Sequence, residues 1–157
     1  MRKQKVYFET TLFNYYFDVE GDAHADTVRL FEDVAAGKYE AYTSSYTVQE
    51  LENTASEKRD KMLALIGRYN ITVLGLDPEA EQLANAYVEQ GIIPGKYWMD
   101  GVHIAVATVN DLDMIISMNF QHIVKRKTKL GITSIHALNG YRAIEICNPM
   151  EVHDEKA

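Results

Sequence analysis

The sequence predicts an α/β domain built on a mainly parallel sheet with helices over both faces. Short β-branched and aromatic runs alternate with segments of helical periodicity from one end of the chain to the other, the pattern that parallel sheets with crossover helices produce. One of the helical segments, residues 100–109, is apolar on almost every side, as a helix buried between neighbours is. No internal repeat, low-complexity tract or Pro/Gly/Ser-rich linker interrupts the 157 residues, and prolines occur only at 78, 94 and 149. One domain spanning 1–157 is therefore expected, with a frayed tail after about 150.

In order along the chain, Lys5 to Phe8 has the composition of a first strand. Thr10 or Thr11 is placed to cap a helical turn through Phe17. Asp26 caps a helix through Ala36 that Gly37 ends, with Val28, Phe31, Val34 and Ala35 at helical spacing. Tyr39 to Thr43 alternates as a strand. Ser44 or Ser45 opens a helix carrying Val48, Leu51 and Ala55, and a second helix covers about 57–68 with Met62, Leu65 and Ile66 on one side. Residues 71–76 form a β-rich run. Asp77-Pro78 starts the next helix, since proline is tolerated in the first turn, and Gly91 ends it. Residues 91–97 are a loop, 100–109 the apolar helix, 114–117 a strand and 143–147 a last strand. The stretch 120–141 is mixed.

Composition narrows the function classes. The hydrophobic share of 46% and the charged share of 25% are ordinary for a globular domain. No apolar run approaches the roughly 18 residues that a membrane-spanning helix needs, and the basic start is followed by Glu9 rather than by a signal-peptide core. Cys147 is the single cysteine, so no internal disulfide forms, and a cytoplasmic location is expected. The net charge of −7 argues against nonspecific coating of nucleic acid, although Lys125, Arg126 and Lys127 form one dense basic run. HExxH, paired-cysteine, P-loop and GxGxxG patterns are all missing, so nothing supports a zinc or nucleotide-cofactor site.

Sheets of this kind place their chemistry at the carboxyl ends of the strands. Glu9 directly follows the apolar run Val6-Tyr7-Phe8, Glu50 lies in the helix after the second strand, and Asp100 opens the apolar helix. Each alone reads more readily as an ordinary helix-terminal or solvated acid, and periodicity does not bring them together. If they meet, their repulsion would raise their pKa values or recruit a cation. Hard oxygen ligands select Mg²⁺ or Mn²⁺. His103, three residues after Asp100 on the same helix side, reads as a satisfied buried histidine more readily than as a metal ligand. His122 lies near the basic run, within reach of a phosphate. Tyr15, Tyr16 and Trp98 are candidates for stacking on unpaired bases, though core packing is the commoner use of such residues.

Four segments together resemble PIN-domain proteins, including VapC-type toxins. They are Val6-Tyr7-Phe8-Glu9-Thr10-Thr11, Val48-Gln49-Glu50-Leu51-Glu52, Asp100-Gly101-Val102-His103-Ile104-Ala105 and Met114-Ile115-Ile116-Ser117-Met118-Asn119-Phe120-Gln121-His122-Ile123. The segment 140–146 fits the same branch, so the resemblance runs from Val6 to about Val152. It implies a three-layer α/β/α fold and metal-dependent hydrolysis of RNA phosphodiesters. Carried over, Glu9, Glu50 and Asp100 are the metal-binding carboxylates for Mg²⁺ (or Mn²⁺). Asn119 takes the place of the fourth acid, and Thr10 or Thr11 supplies a hydroxyl that orients the carboxylates. An antitoxin protein is the expected partner and a homodimer the expected assembly; independently, Lys125, Arg126 and Lys127 are placed to position an RNA backbone, with a plain solvated charge run an equal reading.

The chain departs from the pattern at two places. Glu9 stands where Asp is usual, one methylene longer, and Asn119 offers an amide oxygen without charge. The alternative is therefore a PIN-like module, catalytically weak or inactive, that binds RNA or protein. An aspartyl phosphotransferase is disfavoured, since Glu9 occupies the nucleophile's position and no Asp-x-Asp follows.

Overall fold

A computed structural model describes residues 2–154. Five strands form one all-parallel sheet: β1 (Gln4–Phe8), β2 (Tyr39–Ser44), β3 (Thr72–Leu74), β4 (Met114–Ile116) and β5 (Glu145–Cys147). They lie in the order β3-β2-β1-β4-β5, so the first strand is central. Val6 pairs with Ala41 on one side and Met114 on the other.

Alternation along the strands separates two cores. Val6, Phe8, Met114 and Ile116 point to one face with Leu30, Phe31, Leu51, Met62 and Leu65. Tyr7, Ile115 and Ile146 point to the other with Ala84, Tyr87, Ile104 and Ala105. A sheet buried on both faces explains why its central strands are continuously apolar rather than alternating. Phe31 sits at the hub of an aromatic group, edge-on to Phe8, Phe13 and Tyr16. Truncating it to alanine should cost about 3–5 kcal/mol.

The helices are α1 (Thr11–Tyr15), α2 (His24–Ala35), α3 (Ser45–Glu52), α4 (Ser56–Arg68), α5 (Pro78–Glu89), α6 (Trp98–Val109), α7 (Arg126–Asn139) and α8 (Pro149–Asp154). A single 3₁₀ turn, Gly95–Tyr97, leads into α6. Several caps fall where the sequence puts them. Asp77 accepts from the amides of Glu79 and Ala80, Ser44 accepts from Thr47, and Gly37 follows α2 at φ +82°, a conformation that disfavours side chains.

Other boundaries differ. Asp26 lies inside the first turn of α2, and Ala23 is its cap residue. The turn after β1 ends at Tyr15; Thr10 is its cap residue as expected, but makes no side-chain cap bond because its hydroxyl is drawn into the site described below. The mixed stretch after 120 contains α7, whose period is hidden by its basic start and by Gly131. A methyl group at Gly131 would stand 2.6 Å from the Ile92 side chain, so glycine is what lets α7 approach the 91–97 loop. Residues 149–154 form α8 against α2, with Val152 and His153 buried, rather than fraying. Residues 155–157 of the expected tail lie outside the described residues. Among the described residues no helix is long and apolar enough to cross a membrane.

Candidate active site at the carboxyl edge of the sheet

The segment Glu9-Thr10-Thr11, where β1 runs out, sends its side chains two ways. Glu9 is 3% exposed. Its Oε1 accepts from the Thr11 amide at 3.1 Å, the Thr11 hydroxyl at 2.5 Å and the Ser117 hydroxyl at 2.7 Å. The Thr11 hydroxyl in turn accepts from the Met118 amide, and the Ser117 hydroxyl from the Asn119 amide. The loop after β4 is thus stitched to the end of β1, and Glu9 is the knot. Burial pushes its carboxyl above the usual range, although His103 and these hydroxyls pull the other way.

Thr10 faces the opposite side. Its hydroxyl donates to Glu50 Oε1 at 2.7 Å, and His103 Nε2 reaches the same oxygen at 2.5 Å. His103 is fully buried, and its Nδ1 lies 2.7 Å from the Tyr7 hydroxyl, which lies 2.7 Å from Ser44 Oγ. Burial alone would lower the imidazole. Tyr7, Glu50 and Glu9 more than reverse it and hold its pKa well above the ordinary histidine value. Burial likewise works to raise Glu50, but the His103 hydrogen bond and charge, with Thr10, leave its carboxyl lowered.

Asp100 lies in the first turn of α6, half-buried. Its pKa is raised by burial first, with opposing pulls from His103, the Asn119 amide and His122, and a further push from the charge of Glu50. Asn119 also fixes its own loop, its Oδ1 accepting from the His122 amide at 3.0 Å. The expectation that repulsion raises all three acids is corrected here. Glu50 is lowered, and burial leads the rise at Glu9 and Asp100, with the charge of Glu50 adding to it at Asp100.

Lys125, Arg126 and Lys127 are exposed at the start of α7, on the loop that carries Asn119. Tyr16 is spent on core packing and a 2.6 Å contact with the Tyr69 hydroxyl, and the Trp98 indole donates to Asn85. Tyr15 packs against the core. Two residues passed over in the sequence belong to the cluster. Ser117 bridges Glu9 and Asn119, and the one signal for it is its place directly after an apolar strand. Tyr7 backs His103, and its inward face follows from strand alternation alone.

The donor chemistry suits a hard divalent cation. Every hydrogen bond that Glu9 and Glu50 accept from the described residues goes to Oε1, which leaves both Oε2 atoms for another partner. Among the described residues, no three His, Cys, Asp or Glu side chains close on a single point as they stand. Mg²⁺, which keeps several of its waters and takes one or two carboxylates directly, is the cation such an open set fits.

No protein-family model and no curated protein sequence matches the chain. Solved structures do. The Mycobacterium tuberculosis VapC20, a Sarcin-Ricin loop cleaving toxin, matches with a TM-score of 0.55 at 14% identity, covering 70% of this chain and 86% of its own. VapBC2 from Rickettsia felis, bound to a DNA fragment from their promoter, matches with a TM-score of 0.56 at 13% identity, covering 92% and 98%. The chain has the PIN-domain fold of VapC-type toxins. The three-layer arrangement expected from the resemblance is the one observed, with the PIN sheet entirely parallel.

Proposed function

We propose that the chain is a divalent-metal-dependent endoribonuclease and the toxin of a toxin–antitoxin pair, working in the cytoplasm on RNA. What supports this reading is that Glu9 directly follows the central strand of a PIN-fold sheet and Glu50 and Asp100 lie on helices around His103 near the same carboxyl edge, with the glutamates each offering one oxygen free of hydrogen bonds. The toxins that share the fold, one of them a cleaver of the Sarcin-Ricin loop, support the substrate class and the antitoxin partner.

Glu9, Glu50 and Asp100 would hold Mg²⁺ or Mn²⁺, with the Asn119 amide oxygen as a neutral neighbour. Bound there, the metal supplies a water of lowered pKa and neutralises charge on the phosphate under attack. The chain's own part is positional. Thr10 and His103 aim Glu50, and Thr11 and Ser117 aim Glu9, so that neither carboxylate has to be ordered when substrate arrives. His103 acts through Glu50, with no surface of its own for RNA. Lys125, Arg126 and Lys127 would place the phosphate backbone. A homodimer is part of the same proposal.

The test is cleavage of a mixed-sequence single-stranded RNA panel in Mg²⁺, Mn²⁺ or EDTA by the wild type and Asp100→Asn. Metal-dependent cuts that the variant loses by a hundredfold or more are expected. Cuts that persist unchanged in Asp100→Asn, or in EDTA, would overturn the assignment. A second reading, a PIN-like binding module without turnover, is favoured by Asn119 and by the engagement of Glu9 Oε1 with three donors. Folded, antitoxin-free protein that binds RNA and leaves it intact would select it.

A further inference from the structure

We propose that Tyr97 and His122, with Lys96, form a subsite for one unstacked nucleobase and its phosphate on a single-stranded polynucleotide, directly beside the acidic cluster. The inference deepens the nuclease reading and rests on it for the identity of the strand as RNA.

The two rings stack with centroids 3.8 Å apart and planes 24° from parallel, and Lys96 Nζ stands 5.2 Å from the centroid of the tyrosine ring. Neither ring belongs to either core. Tyr97 is 36% exposed and closes the 3₁₀ turn that runs into α6, three residues before Asp100. His122 is held from the other side, its amide on the Asn119 side chain that also neighbours Asp100. The stack is thereby tied at both ends to residues of the candidate active site. Phe120, 45% exposed, adds another aromatic surface on the same loop.

Ordinary packing does not account for the pair. Both ring nitrogens of His122 are shut away from solvent with no hydrogen-bond partner among the described residues, an arrangement that native proteins rarely leave unanswered. The stack leaves part of the tyrosine in solvent, and any base offers a π-face to a tyrosine without regard to sequence. A base added here would bring its phosphate toward Lys96, and a small movement of Tyr97 would give the His122 edge the acceptor that the fold withholds. Duplex nucleic acid cannot use such a platform, since its bases are already stacked on one another.

The experiment is fluorescence anisotropy of a labelled single-stranded octaribonucleotide in EDTA, where hydrolysis does not intervene. It compares the wild type, Tyr97→Ala, Tyr97→Phe and Lys96→Ala, with duplex RNA and single-stranded DNA as further arms. Tyr97→Ala should weaken single-strand binding by roughly ten- to a hundredfold, Tyr97→Phe should hold within about twofold because the ring remains, and duplex should bind more weakly than the single strand. Equal loss of RNA and DNA binding is expected, since stacking is blind to the sugar. In parallel, an oligonucleotide carrying 5-iodouracil should photocrosslink to Tyr97 in the wild type, a readout independent of any variant's folding.

Undiminished binding by Tyr97→Ala, crosslinks confined to other residues, duplex bound as tightly as single strand, or no saturable binding by the wild type would each overturn the subsite. The nuclease reading fails separately. Tyr97-dependent binding by a wild type that never cleaves in Mg²⁺ keeps the subsite and removes the hydrolysis. Cleavage by a protein whose binding ignores Tyr97 does the reverse.

Discussion

Glu50 and His103 stand 53 residues apart in the chain and 2.5 Å apart in the fold, and each fixes the charge state of the other. The imidazole is fully buried and the carboxylate only partly. The histidine is therefore the member that depends on the pair.

His103→Leu stays close in volume and removes the ring's polar contacts with Tyr7, Glu50 and Thr10. It should destabilise the fold by about 2–4 kcal/mol, read as a lower urea midpoint with an unchanged slope. It should also slow metal-dependent cleavage, because Glu50 is left with Thr10 as its single tether. A variant as stable as the wild type would show that the Tyr7–His103–Glu50 chain contributes nothing net.

Much of this site was legible in the sequence, and the illegible part has a physical reason. Glu9 and Asp100 stand out because each is an acid next to an apolar run, whereas Glu50 reads as an ordinary helix acid, and the PIN-domain resemblance rather than periodicity groups the three. What alternation cannot carry is partnership. Nothing local says that Thr10 turns to Glu50 while Thr11 turns to Glu9, and the same residues taken alone read as caps. Ser117 is invisible for that reason. Among the elements, α5 was plain because Asp77-Pro78 and Gly91 bracket it, whereas α7 was hidden because its glycine serves Ile92 rather than the helix.

Ser117→Ala removes a donor to Glu9 and the acceptor of the Asn119 amide. The cost should be about 1–2 kcal/mol. Amide hydrogen exchange at Asn119 should accelerate more than exchange within β4, which distinguishes a loosened loop from general destabilisation. Equal acceleration at both would remove Ser117 from the site's framework.

Asn119→Asp keeps the oxygen that receives the His122 amide and replaces the nitrogen beside Asp100 with a second negative charge. In EDTA the variant should lose about 0.5–1 kcal/mol through like-charge repulsion. Added Mg²⁺ should raise its melting temperature more than that of the wild type. If Mg²⁺ shifts both equally, positions 100 and 119 do not share a cation.

His136 supplies a pH dependence away from the site. It is 1% exposed, and its Nε2 lies 2.6 Å from the Tyr87 hydroxyl. Burial pushes its pKa down to about 4. A folded-state value below the unfolded one means that the neutral ring's contribution is complete above about pH 6.5 and is lost as pH falls through 4. The wild type should forfeit up to about 3 kcal/mol over that window relative to His136→Gln, measured as the difference between their urea midpoints at each pH. Parallel curves would contradict the assignment.

The central position of β1 governs when a newly made chain can close its sheet. Glu9 and Glu50 leave the ribosome early, but β1 cannot gain its second neighbour until β4 has been synthesised, with Val6 waiting for Met114. Ser117 and Asn119 arrive only then, and Asp100 shortly before. Through most of its synthesis the polypeptide thus lacks a closed sheet, and contacts of such long separation are slow to form even afterwards. A message cut short yields an unclosed sheet whose first strand is exposed along one side, an edge open to pairing with other chains.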